Sequence, residues 1–226
     1  MTVKLLAIET ATEACSAAVY IDGEVIERYQ LAPRMHNELI LPMCEQVLSE
    51  SGISVNQLDA LAFGCGPGAF TGLRIAASVT QAIALAQDLP VASISTLSNL
   101  AHQTDMQEGE KVLTAIDARM DEIYWAVYEK NTQGKIELVG EEKVQVPETL
   151  EKLNDITYGQ GTGWDTYHRE LNTKLMLQDD FINGEALPRA SITAQLGSVK
   201  YHDNNMVDAM HALPVYLRNQ VVHKKI

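Results

Sequence analysis

Between Leu61 and Asp88 the chain reads LAFGCGPGAFTGLRIAASVTQAIALAQD, and this stretch limits the folds open to it more than any other. Leu61-Ala62-Phe63 closes an apolar run that reads as a buried strand. Gly64-Cys65-Gly66-Pro67-Gly68 then reads as a turn, with three glycines able to take φ > 0 and Pro67 fixing φ. Thr71 or Gly72 opens a helix that runs to about Gln87 and is stopped by Pro90. A surface helix carries one apolar stripe. This one carries two: Ile75, Val79, Ala82, Ile83 and Ala86 make one, and Leu73, Ala77, Ala84 and Leu85 the other. Asp59, Arg74 and Asp88 are the only charges between residues 51 and 104. Such a helix is either central in a large core or covered on one side by a second chain. The glycine-rich turn reads as a tight connection before it reads as an anion cradle, since it has neither the Lys-Ser/Thr of a P-loop nor dinucleotide spacing.

Around this stretch the elements follow in a regular order. Val3–Ile8 and Ala14–Ile21 are strands, Asp22-Gly23 is a two-residue hairpin signal, and Glu24–Leu31 completes a three-strand meander. His36–Ser49 reads as a helix in which Pro42 marks a kink or the true first turn. Val91–Ile94 is a short strand, and Ser95 N-caps a helix from Thr96 to about Gln103. The pattern then begins again. At a shift of 108 residues, LLAIETATEACSAAVY (5–20) lies on LTAIDARMDEIYWAVY (113–128) with six identities, Glu9 meeting Asp117 and Glu13 meeting Asp121. The second copy continues with a strand at 135–146, a short helix from Pro147 to Leu153 and a strand at 156–158. A helix at 164–171, an extended stretch at 175–177 and a helix near 190–201 complete it.

Two βββαβα lobes, each opening on a strand that ends in a carboxylate, resemble the α/β actin-like ATPase (ribonuclease H-like) fold. The expected lobes are 1–106 and 107–226, with the C-terminal segment a candidate to pack back on the first. In active members of that class the loop after each first strand wraps ATP phosphates, which needs glycine for close approach of backbone N–H groups. The first such loop here, Glu9-Thr10-Ala11-Thr12-Glu13, has no glycine and two acids. The second, Asp117-Ala118-Arg119-Met120-Asp121-Glu122, has none either, and three acids against one arginine. Like charge disfavours a polyphosphate there. Glu9, Thr10, Thr12, Asp117 and Arg119 therefore read as degenerate phosphate loops.

Other chemistry is thin. The six histidines offer no i,i+3 or i,i+4 pair for a metal, and Cys65 has no neighbouring base. Gly159-x-Gly161-x-Gly163 reads as a plain turn, and Tyr124 and Trp125 as packing aromatics. Cys15, Cys44 and Cys65 are odd in number, lack CxxC spacing and read as reduced thiols of a cytoplasmic protein. Apolar runs are too short for a membrane span. The net charge of −13 excludes a stand-alone nucleic-acid binder; its one cationic cluster, Arg218 with His223, Lys224 and Lys225, reads as a solvated terminus.

The stretches IETAT–ACS (8–16), HNELILP (36–42), GPGAFTGLRIAAS (66–78), IDARMDEIYWAVY (116–128) and PVYLRN (214–219) together resemble the TsaB (YeaZ) family. The resemblance implies an actin-like chain without catalysis of its own. It implies pairing with the paralogue TsaD, which transfers threonylcarbamoyl to N6 of adenosine 37 in tRNAs reading codons that start with A. The ATPase TsaE completes that complex, tRNA is met only through it, and ATP and metal belong to the partner subunits. The HxxxH metal motif of TsaD has one counterpart here, His102, with Met106 at the second position. The family's dimer surface, carried over, uses His36, Leu39, Ile40, Met43 and Val47 of one helix against Phe70, Leu73, Arg74, Ala77 and Gln81 of the other, for a TsaD heterodimer and a homodimer in competition. The alternatives are an actin-like ATPase or metallopeptidase-like enzyme, and a stand-alone homodimeric binding module.

Overall fold

The computed structural model describes residues 3–218; Asn219 of the last motif and the cationic tail residues His223, Lys224 and Lys225 lie outside them. Two compact units emerge. One holds the described residues up to Gln103 together with Leu187–Pro214, and the other holds Thr104–Ala186 with the described residues from Val215 onward.

The first unit is built on a five-stranded sheet in the order β3-β2-β1-β4-β5. Its strands are β1 (Lys4–Glu9), β2 (Ala14–Ile21), β3 (Glu24–Leu31), β4 (Ala60–Gly66) and β5 (Val91–Ser95). The meander is antiparallel, while β1, β4 and β5 run parallel. Asp22 (φ 50°) and Gly23 (φ 98°) both take the left-handed region, as a two-residue hairpin turn demands. Alternation along the strands sorts the core into two layers. Leu6, Ile8, Cys15, Ala17, Val19, Leu61 and Phe63 meet helices α1 (His36–Glu50) and α2 (Phe70–Gln87) on one face. Leu5, Ala7, Ala18, Ala60, Ala62, Ala92 and Ile94 meet Ala190 and Ala194 on the other. Those two alanines belong to a helix far along the chain, Ala190–His202. The small side chains let it lie close: a Cβ on Gly197 would sit 2.7 Å from Ala62 Cβ. Ser95 caps α3 (Thr96–Ala101), its hydroxyl accepting from Leu97 N (3.1 Å) and Ser98 N (3.2 Å).

The glycine-rich stretch differs from its sequence reading. β4 extends through Gly64, Cys65 and Gly66, and of the three glycines at 64, 66 and 68 only Gly66 takes φ > 0 (113°). Gly64 and Gly68 answer to close approach instead: a Cβ on Gly64 would overlap the Glu9 carboxylate, and one on Gly68 the Ala11 carbonyl.

The second unit repeats the sheet order as β8-β7-β6-β9-β10. Its strands are β6 (Lys111–Arg119), β7 (Glu122–Lys130), β8 (Ile136–Gln145), β9 (Tyr158–Gln160) and β10 (Ile182–Asn183). Helices α4 (Thr162–Thr166) and α5 (His168–Leu175) cover one face with Trp164 and Leu171, and the far helix Ala190–His202 is α6. Three local expectations are corrected. The segment after Pro147 forms one 3-10 turn, Pro147–Thr149, because ETLEKLN offers two leucines to bury and too short a run to propagate. Residues 164–171 divide between α4 and α5. Leu175 ends α5, Met176 turns left-handed (φ 53°), and the strand comes later, at Ile182–Asn183.

The 108-residue shift holds for one strand and slips on its neighbour. On β7, Ile123, Trp125 and Val127 share a core with α4 and α5, as Cys15, Ala17 and Val19 do with α1 and α2. On β6, however, Leu113 and Ala115 share that layer, whereas the residues they match, Leu5 and Ala7, face α6. A register shift between Asp117 and Arg119 accounts for the difference, since a slip of one residue exchanges the faces of a strand. Both sheets thus keep the α/β actin-like order while the paired acids Glu9 and Asp117 stand on opposite faces of their own sheets.

Candidate functional site

The loop from Glu9 to Glu13 lies against the first turn of α2. Thr10 Oγ1 donates to Gly72 O at 2.8 Å, and Ala69 N donates to Ala11 O at 2.7 Å. A Cβ on Gly72 would overlap the Thr10 carbonyl. The glycines of this helix start therefore admit the chain's own backbone rather than leave a cavity. His36, at the start of α1, points its Nε2 at Thr12 O (2.9 Å) and Ala14 O (3.2 Å), which holds the other side of the loop.

Glu9 is fully buried. One carboxylate oxygen accepts from Ala11 N at 2.9 Å and the other from the Thr193 hydroxyl of α6 at 3.3 Å. Thr193 in turn accepts from Asn99 Nδ2 at 2.9 Å. Loss of hydration outweighs these bonds and pushes the carboxyl up to about 7. The Cys15 thiol is pushed up to about 11 by burial first and by Glu9 second, so it is an inert thiol at neutral pH.

In the second unit the corresponding residues form a tight turn. Arg119, Met120 and Asp121 take φ of 59°, 60° and 59° between the two paired strands. Asp117 faces α4, its backbone N donating to Thr162 Oγ1 at 3.2 Å, and its carboxylate accepts from Arg119 N (2.8 Å) and Arg119 Nη1 (2.7 Å). Arg218 corrects its sequence reading. It is no solvated terminal charge: its guanidinium donates to Ala118 O and Arg119 O, 3.2 Å each, and pairs with Glu122. The motif PVYLRN carried that information in its arginine, and composition alone concealed it.

The outer surface of α1 and α2 is different in kind. Six of the ten residues carried over as a dimer surface are buried within their own unit: His36, Ile40, Met43, Val47, Leu73 and Ala77. Their side chains build the core under the two helices, so they shape the surface without presenting it. Leu39 and Gln81 are half-buried, the latter donating to Ala212 O at 3.2 Å. Phe70 (49% exposed) and Arg74 remain outside, the guanidinium 3.8 Å above the ring centroid. Sequence reasoning missed Leu41, 51% exposed, and Ser78. With Phe70, Arg74, Ile75 and Val79 they line an apolar groove between the helices. Helical phase carried the signal, because Phe70, Arg74 and Ser78 recur every fourth residue.

The remaining candidates are structural. His102 Nδ1 lies 2.8 Å from Ser98 O in its own helix, and burial lowers its pKa. Gly159 and Gly163 allow close packing of Trp164 and Ala115. Trp125 belongs to the second core. Among the described residues no group of three or more His, Cys, Asp or Glu could hold a metal, and no helix is long and apolar enough to cross a membrane.

Known proteins resemble the whole of this arrangement. A family model described as "TsaD: tRNA N6-adenosine threonylcarbamoyltransferase" matches residues 24–177. The "tRNA threonylcarbamoyladenosine biosynthesis protein TsaB" of Escherichia coli is 40% identical over 99% of this chain and 98% of its own length. Its namesake in Haemophilus influenzae is 39% identical over 98% and 96%. The solved structure "YeaZ from Pseudomonas aeruginosa" superposes with a TM-score of 0.86 at 39% identity, covering 95% of this chain and 100% of that one. With relatives this similar from end to end, the chain belongs to the TsaB family.

Proposed function

We propose that this chain is a non-catalytic subunit of the system that forms N6-threonylcarbamoyladenosine at position 37 of tRNAs reading codons that start with A. It acts by pairing a TsaD-type catalytic subunit through the outer groove of α1 and α2. The names of the E. coli and H. influenzae relatives support the pathway, and the matching family model supports kinship with the transferase. The observation that carries the reading is the closed loop at Thr10–Ala11 beneath an open apolar groove. Phosphate binding in the actin-like class needs backbone N–H groups free to meet an anion. Here Ala69 N is given to Ala11 O, and Gly68 and Gly72 are filled by the loop itself. The second unit replaces its loop with a tight turn bounded by Asp117, Asp121 and Glu122. These residues do not fit a triphosphate, so ATP and metal fall to the partner subunits. Self-pairing uses the same groove and competes with TsaD; a TsaE-type ATPase and tRNA are met in the assembled cytoplasmic complex.

Covering Leu41 and Phe70, each about half exposed, contributes about 1 kcal/mol apiece. Reconstitution tests the proposal. TsaD, TsaE, threonylcarbamoyl-adenylate and tRNA should yield modified tRNA only when this chain is added, and the chain alone should yield none. Leu41→Glu and Ser78→Glu should each reduce the complex to separate subunits by light scattering and cut turnover at least tenfold, with thermal unfolding unchanged because both side chains are exposed. Turnover by the isolated chain, or undiminished turnover without it, overturns the proposal.

A further inference from the structure

The far end of α2 carries a second hollow, separate from the groove. The helix closes at Asp88, which takes the left-handed region (φ 53°). A strap from Met206 to Ala212 runs across this end. Val207 exchanges both backbone hydrogen bonds with Val91 (2.8 and 2.9 Å), and Asp208 caps a 3-10 turn at Ala209–His211, its Oδ1 accepting from His211 N at 3.0 Å. Between helix and strap lies a trough lined by Ala84, Leu89 and Pro90 with Leu85 and Met210 at its sides. Leu85 is 74% exposed and Met210 73%. A single exposed leucine needs no explanation, but here two large apolar side chains flank one hollow.

The rim is acidic. Asp88 and Asp208 both border the trough. The last turn of α2 contains no basic residue, so its carbonyl end adds negative potential. His211, the neighbouring titratable group, has its Nδ1 2.7 Å from Asp208 Oδ1 and offsets that carboxylate only when protonated.

We infer that this trough docks a short segment of a partner protein in which a large apolar side chain is flanked by lysine or arginine. The apolar residue lies between Leu85 and Met210, and the flanking cations meet Asp88 and Asp208. Charge selects this occupant: a chain of net charge −13 repels an acidic segment, and a wholly apolar one strips water from two carboxylates without replacing it. The site can be filled together with the α1–α2 groove. Arg74 and Asp88 lie about 21 Å apart along the helix, at about 1.5 Å per residue.

The test is an anisotropy titration of the full chain with a fluorescein-labelled amphipathic helical peptide, leucine on one face and lysine beside it, and with the same peptide carrying glutamate for lysine. The lysine peptide should bind and the glutamate peptide should not. Leu85→Asp and Met210→Asp should each weaken binding at least tenfold although each makes the chain more negative. Asp88→Asn and Asp208→Asn, which keep the left-handed residue and the cap, should weaken it three- to tenfold. Leu138→Asp, at an exposed position of the second unit, should stay within twofold. All five positions are exposed, so melting temperatures should match the parent. Equal or tighter binding by Leu85→Asp would reduce the attraction to general charge and overturn the inference. Failure of the parent chain to bind the lysine peptide at millimolar concentration overturns it as well.

Discussion

Glu9 shows how one side chain can set a pH response for its unit. In the unfolded chain it titrates near 4.5, and in the fold near 7, because the carboxylate is dry and its bonds to the Ala11 and Thr10 backbone and the Thr193 hydroxyl do not make up for the lost water. The folded form therefore holds its proton more tightly. Stability from this group is fully present below pH 4.5 and is lost as pH rises through 7, in total on the order of 3 kcal/mol. Glu9→Gln imitates the protonated form, so urea midpoints taken between pH 5 and pH 8 should fall for the parent and stay flatter for the variant. A parent curve that rises over that range would contradict the assignment. Gly72 makes a second residue-scale prediction. Gly72→Ala drives a Cβ into the Thr10 carbonyl, backbone that cannot swing aside, and should cost about 3 kcal/mol in denaturant unfolding. Neither effect was legible in the sequence. A carboxylate at the end of a strand and a glycine in a helix look alike whether they hold a ligand or a neighbouring turn.

Among the elements, α6 owes its position to partners outside itself. Its N-cap residue, Arg189, makes no side-chain cap. Ala190 N instead donates to Ser16 Oγ and Ser191 N to Glu27 Oε1, 3.0 Å each, while the Arg189 guanidinium forks onto Glu27 Oε2 at 2.6 and 3.1 Å. Removing that carboxylate leaves the Ser191 N–H without its acceptor and strips the Arg189 guanidinium of its ion pair, leaving it the Tyr29 ring (4.3 Å to the centroid) and water. Glu27→Ala should thus lower the stability of the first unit by about 2 kcal/mol, read as a lower thermal midpoint, whereas Glu24→Ala at the exposed first position of β3 should change little. Elements with local signatures were readable from the chain: Asp22-Gly23 for the hairpin, Ser95 for a cap, the two apolar stripes for α2. The companionship of α6 with Ser16 and Glu27 was not, because no local rule links residues so distant in sequence. The 3-10 turn after Pro147 escaped for the opposite reason: its composition permits a helix, but burying Leu150 in the second core takes only a single turn.

At the scale of the molecule, duplication was visible in six shared residues and returns as the same strand order in both sheets. What the repeat obscured was phase. A bulge after Asp117 turns β6 over relative to β1, so two acids that align in sequence serve different surroundings. The outward groove was likewise half legible. Its two helices were identifiable by their excess of apolar residues, but Ile40, Val47 and Leu73 turned out to be interior, leaving Leu41, Phe70 and Ser78 to face outward. Apolar content measures how much a helix wants covered, and only its rotation says which side is left.

The late arrival of α6 has a consequence for synthesis. Leu5, Ala7, Ala62 and Ile94 await Ala190 and Ala194, roughly ninety residues behind Gln103. At about 5–20 residues per second, a ribosome holds that greasy sheet uncovered for on the order of 5–20 s, time enough for a nascent-chain chaperone to find it first.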